Sequence, residues 1–175
     1  MKTKQTYTIS IYTENNIGLL NRISAIFLKR HINIESLNIS KSEIKSVSRF
    51  TILVKITEDQ VQRIIGQIEK QVEVIKAYYH TDENTVYQES CLFKLNSELL
   101  MGTDEIQKII NNSDTRVINI NKDFFVLEKS GNKEDIEKVY HKLNKYGIMQ
   151  FVRSGRIAIT KEKMEISKIL ATYNN

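Results

Sequence analysis

The sequence predicts an α+β fold: two βαββαβ units in tandem, each in the split-βαβ or ferredoxin-like arrangement. Three observations carry this. Apolar residues recur at period two in short runs rich in Ile, Val, Phe and Tyr, the mark of half-buried strands. Between those runs lie stretches with apolar residues at i, i+3, i+4 and i+7, the stripe of an amphipathic helix. The order strand, helix, strand, strand, helix, strand then occurs twice within 175 residues, a length that holds two small domains. The domains are placed at residues 1–80 and 87–175, with the polar stretch 81–86 as connector.

In the first unit Tyr7, Ile9 and Ile11 share one strand face and Thr8 and Ser10 the other, so the strand reads as half-buried. After the loop Glu14-Asn15-Asn16-Ile17-Gly18, residues Leu19, Leu20, Ile23, Ile26 and Phe27 fall at helical spacing. Lys29, Arg30 and His31 close that helix, where cations suit the negative end of the dipole. Ile32 and Ile34 share one face of a second strand, whereas Leu37 and Ile39 take the opposite phase, which implies a bulge near Glu35 and Ser36. The polar segment 41–46 is a hairpin connection. A third strand turns Phe50, Ile52, Val54 and Ile56 inward, with Arg49, Thr51 and Lys55 outward. Thr57-Glu58-Asp59-Gln60 reads as a capping box ahead of a helix striped by Val61, Ile64, Ile65 and Ile68. A fourth strand over 72–79 completes the unit.

The second unit repeats the order. Tyr87, Cys91, Phe93 and Leu95 share one strand face, and Thr103 caps a short helix carrying Ile106, Ile109 and Ile110. Strands at 117–120 and 124–127 flank a turn at Asn121-Lys122-Asp123. Asn132 caps a helix whose stripe is Ile136, Val139, Tyr140 and Leu143, at the spacing of the first unit's stripe. Gly147 suits the C′ position after it. Strand segments at 148–152 and 157–159 follow, and the residues from Lys163 form a short tail helix or a loose end.

Composition narrows the function. Hydrophobic residues make up 41% and charged residues 27%, as in ordinary globular proteins. A net charge of +5 raises the question of nucleic acid. However, basic and acidic residues alternate and no run of five or six like charges occurs, so a solvated mixed surface is expected. The third strand also lacks the glycine and the exposed aromatics of an RNA-recognition sheet. The single cysteine rules out an internal disulfide, and on an apolar strand face Cys91 reads as an inert buried thiol. The three histidines, His31, His80 and His141, are scattered at a helix end, in the connector and on an exposed helix face, with no ligand-like or base-like pattern. Walker, G-x-S-x-G and H-E-x-x-H signatures are missing. An apolar run of 18 residues is missing as well, and the start of the chain lacks a signal peptide's apolar core. The expectation is a cytoplasmic protein with no membrane, nucleic-acid, metal or catalytic site.

The loop Glu14 to Gly18 is where function is sought. By itself it reads as a plain turn, Gly18 supplying permissive backbone and the asparagines local side-chain bonds. It also leads straight into a helix N-terminus, whose free N–H groups favour a carboxylate. Asn15 can both donate and accept, which suits a ligand carrying ammonium and carboxylate together, and Asn33 offers a second amide on the next strand.

Glu14-Asn15-x-x-Gly18-x-Leu20-x-Arg22, then Asn33-Ile34-Glu35-Ser36-Leu37 and Ser48-Arg49, resembles the ACT domain of the acetolactate synthase small-subunit family. Val152-Arg153-Ser154-Gly155 is similar to a later segment of the same family, whereas the connector and residues 96–112 depart from its pattern. The resemblance implies a noncatalytic subunit that activates a thiamine-diphosphate-dependent catalytic (large) subunit, which would carry thiamine diphosphate, Mg and FAD; this chain would bind no cofactor. It also implies feedback inhibition by a branched-chain amino acid, valine first, in a homodimer paired through the ACT domains. The implied effector contacts are Asn15, Gly18, Leu19 and Leu20 of one chain with Asn33 and Ile34 of its partner. The alternative is a stand-alone amino-acid-sensing ACT module that regulates another enzyme.

Overall fold

Strand alternation and helix stripes fold into two separate compact units. The structure, a computed structural model, describes residues 3–102 and 104–172. One unit comprises residues 1–87 and 156–175, the other 88–155.

The first unit runs β1 (Gln5–Glu14), α1 (Leu19–Leu28), β2 (Ser36–Lys41), β3 (Val47–Ile56), α2 (Glu58–Ile68) and β4 (Val74–Thr81). Its sheet has the order β2-β3-β1-β4 with every neighbouring pair antiparallel. This is the βαββαβ order that the periodicities predict. Tyr7, Ile9 and Ile11 of β1 and Phe50, Ile52, Val54 and Ile56 of β3 bury one face of the sheet. Against it pack Leu19, Ile23, Ile26 and Phe27 from α1 and Val61, Ile64 and Ile68 from α2. Each such side chain contributes about 1.5–3 kcal/mol of burial free energy. At the start of α2 Gln60 reaches back, its Oε1 accepting from the Thr57 N–H at 3.0 Å, as the capping box predicts.

The sheet's other face is not solvated, and β1 is not half-buried. Thr8, Ser10 and Tyr12 are buried too. What covers them is the end of the chain, β9 (Ile157–Thr160) and α6 (Ile166–Ala171), which the sequence order assigns to the second domain. Leu170 is fully buried in a cluster with Tyr12 and Val47. Arg156 places its guanidinium 3.6 Å from the centre of the Tyr87 ring, 3.0 Å from the Thr8 hydroxyl and 2.5 Å from the Asp82 carboxylate. Arg49 donates to the Ala158 carbonyl. Tyr87 therefore stacks with Arg156 in the first unit instead of joining the second core. His80 is a β4 residue edge-on to Tyr78, with Nδ1 3.7 Å from Glu162, and not a connector residue.

Two further expectations fail locally. Residues 32–34 belong to no strand, and β2 begins only at Ser36, opposite Leu53. The change of phase between Ile34 and Leu37 marks a loop giving way to a strand, with no bulge. Helix α1 ends at Leu28 with Lys29 at the C-cap, so Arg30 and His31 lie past it and no basic residue sits within its last turn.

The second unit runs β5 (Thr85–Asn96), α3 (Glu98–Gly102), α4 (Asp104–Asn112), β6 (Arg116–Ile120), β7 (Phe124–Gly131), α5 (Lys133–Asn144) and β8 (Gln150–Arg153). The strand order β6-β7-β5-β8 reproduces the first sheet's pattern. Phe93, Leu95, Phe125 and Leu127 pack against Ile106 of α4 and Ile136, Val139 and Leu143 of α5. Asn132 caps α5, its Oδ1 accepting from the Asp135 N–H at 2.8 Å. The expected cap at Thr103 lies outside the described residues. Cys91 is buried, donates to the Lys129 carbonyl at 3.3 Å, and has its thiol pushed up to about 11 by burial.

Candidate functional site

The loop between β1 and α1 turns on Gly18, whose φ of 84° is left-handed, and a Cβ built there would meet nothing within 4 Å. Gly18 is the N-cap residue, and among the described residues no side chain caps α1. The start of this helix thus keeps its attraction for an anion. The Leu19 N–H is partly committed, donating to the Asn16 carbonyl at 3.4 Å, and the Leu19 side chain is buried in the core. Leu20 is 42% exposed and Ile17 fully so, an exposed apolar pair on the loop and first turn.

Asn15 is anchored from the β2–β3 hairpin. Its N–H donates to the Ser46 carbonyl at 2.9 Å and its Oδ1 accepts from the Ser48 hydroxyl at 3.3 Å. With residues 41–47 it lines a cavity of about 410 Å³. Glu14 supplies a carboxylate beside it, accepting from Asn16 Nδ2 at 3.1 Å. Arg22 and Glu73 pair at 2.7 Å and tie the first turn of α1 to the residue before β4. In the sequence Glu14 and Ser48 stand out only as parts of a motif. The structure gives them contacts at the loop, which the motif's spacing alone could not supply.

Asn33 is exposed and Ile34 half-buried against the first core. They lie just before Ser36, which registers with Leu53 and through it with Thr8, whereas Asn15 follows Glu14 at the other end of β1. Six residue steps separate Thr8 from Glu14, a distance of roughly 20 Å along the sheet. Asn15, Gly18, Leu19 and Leu20 are therefore brought together, and Asn33 and Ile34 are held apart from them. Edge strand β2 exposes Leu37 and Ile39. An unpaired edge with exposed apolar residues is a pairing surface.

Residues 9–76 match the family model for an AHAS small subunit-like ACT domain, and residues 88–162 match the one for the small subunit of acetolactate synthase. The acetolactate synthase small subunit of Bacillus subtilis is 33% identical over 167 residues, covering 93% of this chain and 96% of that protein. The chain belongs to the acetolactate synthase small-subunit family. A probable acetolactate synthase small subunit from Archaeoglobus fulgidus is 30% identical over 155 residues, 89% of this chain and 96% of that one. In fold, the crystal structure of the acetolactate synthase small subunit from Thermotoga maritima matches with a TM-score of 0.81 at 23% identity, over 91% of this chain and 99% of that one. Membership in this small-subunit family implies a catalytic large subunit as partner, and the ACT domain a regulatory role. Among the described residues no helix is long and apolar enough to cross a membrane.

Proposed function

We propose that this small subunit activates its thiamine-diphosphate-dependent catalytic partner and confers feedback inhibition by a branched-chain amino acid, valine first. The observation that carries the reading is the split site. An uncapped helix start with Asn15 stands at one end of the sheet and Asn33 with Ile34 at the other, roughly 20 Å away. A twofold dimer through the ACT domains brings one copy's first half to the other copy's second half. The N–H groups of the first turn take the ligand carboxylate, the Asn15 and Asn33 amides its ammonium, and Leu20 and Ile34 its aliphatic side chain. A ligand held by two chains favours one quaternary arrangement over another, with a coupling of about 1–3 kcal/mol. Thiamine diphosphate, Mg and FAD belong in this scheme to the catalytic partner.

Calorimetric titration with valine, leucine and isoleucine tests it. Saturation at about 100 times the dissociation constant adds roughly 2.7 kcal/mol to stability. Gly18→Asp abolishes the response by setting a negative charge in the carboxylate site, whereas Gly18→Asn, of the same shape and at ease in a left-handed backbone, retains much of it. Normal valine binding by Gly18→Asp would put the site elsewhere.

A further inference from the structure

Asn15 is shaped by the hairpin that follows β2. Ser46, whose carbonyl holds the Asn15 N–H, is a non-glycine residue at φ 64°. Such a conformation persists where its neighbours over-determine it. The hairpin is braced to that end. The Ser42 N–H donates to the Val47 carbonyl at 2.8 Å, the Ile44 N–H to the Ser42 hydroxyl at 3.0 Å, and the Val47 N–H to the Ile44 carbonyl at 3.2 Å.

Helix α6 grips the same hairpin. The Ser167 hydroxyl donates to Glu43 Oε1 at 2.6 Å. Ile44 packs onto the cluster of Tyr12, Val47 and Leu170, in which Leu170 is wholly buried. Leu170 with Ile44 and Val47, then the left-handed Ser46 next to Val47, then Asn15 thus form one continuous run within the first unit. Packed side chains with low compressibility carry a displacement along such a run.

We infer that α6 is a positioning element for the effector loop: Leu170 and Ser167, acting through Ile44 and Glu43, hold the hairpin in the shape that presents Asn15. Neither residue touches the ligand. The inference rests on the effector-site assignment for its effect on affinity, but its structural half, control of Asn15, can be read without any effector.

The test uses the full chain with Leu170→Ala, Ile44→Ala, both together, Ser167→Ala and Ser167→Thr. Hydrogen exchange at the Asn15 amide and the valine dissociation constant are measured on each, with α2 amides as the control for general loosening. In Leu170→Ala the Asn15 amide exchanges about tenfold faster while α2 keeps its protection, as expected of a local opening. Valine binding weakens by about fivefold or more, the low end of allosteric coupling. Ile44→Ala does the same, and the double variant is no worse than the stronger single, because the two share one path. Ser167→Ala has a smaller effect of the same sign, which Ser167→Thr reverses. The inference is overturned if Leu170→Ala leaves Asn15 exchange within about twofold of the unmodified chain, or if the two apolar truncations multiply as independent sites do. Faster Asn15 exchange in a chain that binds none of the three amino acids supports the positioning role and refutes the effector assignment instead.

Discussion

His31 closes α1 with a left-handed backbone, φ 52°. The His31 N–H donates to the Leu28 carbonyl at 3.0 Å and the Ile32 N–H to the Phe27 carbonyl at 3.1 Å, the paired bonds of a Schellman-type turn with His31 in the left-handed position. Glycine takes that conformation without the Cβ penalty, so His31→Gly should raise stability by about 1 kcal/mol. A urea melt would show it as a higher midpoint at unchanged slope, and a lower midpoint would mean that the imidazole has a contact worth more than the strain. Cys91 allows a second expectation. Its thiol titrates near 11 in the folded chain and near 9.0 when free, so between those values only the unfolded chain loses the proton. Stability attributable to Cys91 is intact below pH 9 and falls as pH rises toward 11, by roughly 2–3 kcal/mol in all. Denaturant melts at pH 8 and pH 10.5 on the native chain and on Cys91→Ala would isolate it; equal losses in both would assign the effect to other groups. An inert, buried Cys91 was legible because an apolar strand face says where a small side chain goes. His31 was not, because a cation after a helix looks the same in sequence whether it answers the dipole or turns the backbone.

Helices with strong local signals were the most legible elements. The stripe Ile136, Val139 and Leu143 is buried, and the cap at Asn132 is present. Asn132→Ala should cost about 1 kcal/mol, a typical N-cap loss, readable as a reduced thermal midpoint; no change would mean that water replaces the cap at no cost. Strands were legible by phase more than by extent. Strand β7 runs on to Gly131 past the apolar run 124–127, because its polar outer residues are tied across the sheet. Glu128 accepts from the Ser90 hydroxyl at 3.1 Å and from the Arg116 Nε at 3.0 Å. Those bonds, with that from Ser130 first, hold the Glu128 carboxyl below its usual range. Period two sees hydrophobic burial and is blind to a polar network that extends a ladder. At β2 the error is reversed: Ile32 and Ile34 pack on the core from backbone outside any strand, so a strand pattern appears where no strand pairs.

At the scale of the molecule, the tandem repeat was legible and the return of the chain was not. Residues 88–155 form one unit while both of their flanks belong to the other, so the second unit is inserted into the first. Sequence adjacency points the wrong way here. In β9 the apolar residues Ile157 and Ile159 are exposed, while Ala158 and the charged Arg156 just before the strand are buried, opposite to what alternation implies. Burial of Arg156 becomes tolerable through its pairing with Asp82 and Thr8 and its stacking on Tyr87, all contributed by residues distant in sequence. Residues 1–87 contain a full βαββαβ unit, yet alone they would leave Thr8, Ser10 and Tyr12 without cover. Loss of the Leu170 packing and the Arg156 contacts should cost about 3 kcal/mol or more, a large share of the 5–15 kcal/mol that a domain holds. The stacking of Arg156 on Tyr87 puts the two cut ends close together, so a Gly/Ser linker of about eight residues, reaching roughly 16 Å, can replace 88–155. The joined chain 1–87 plus 156–175 should melt in one cooperative step, well above residues 1–87 alone. Equal melting of the two chains by circular dichroism would show that the returning segment only rests on the sheet.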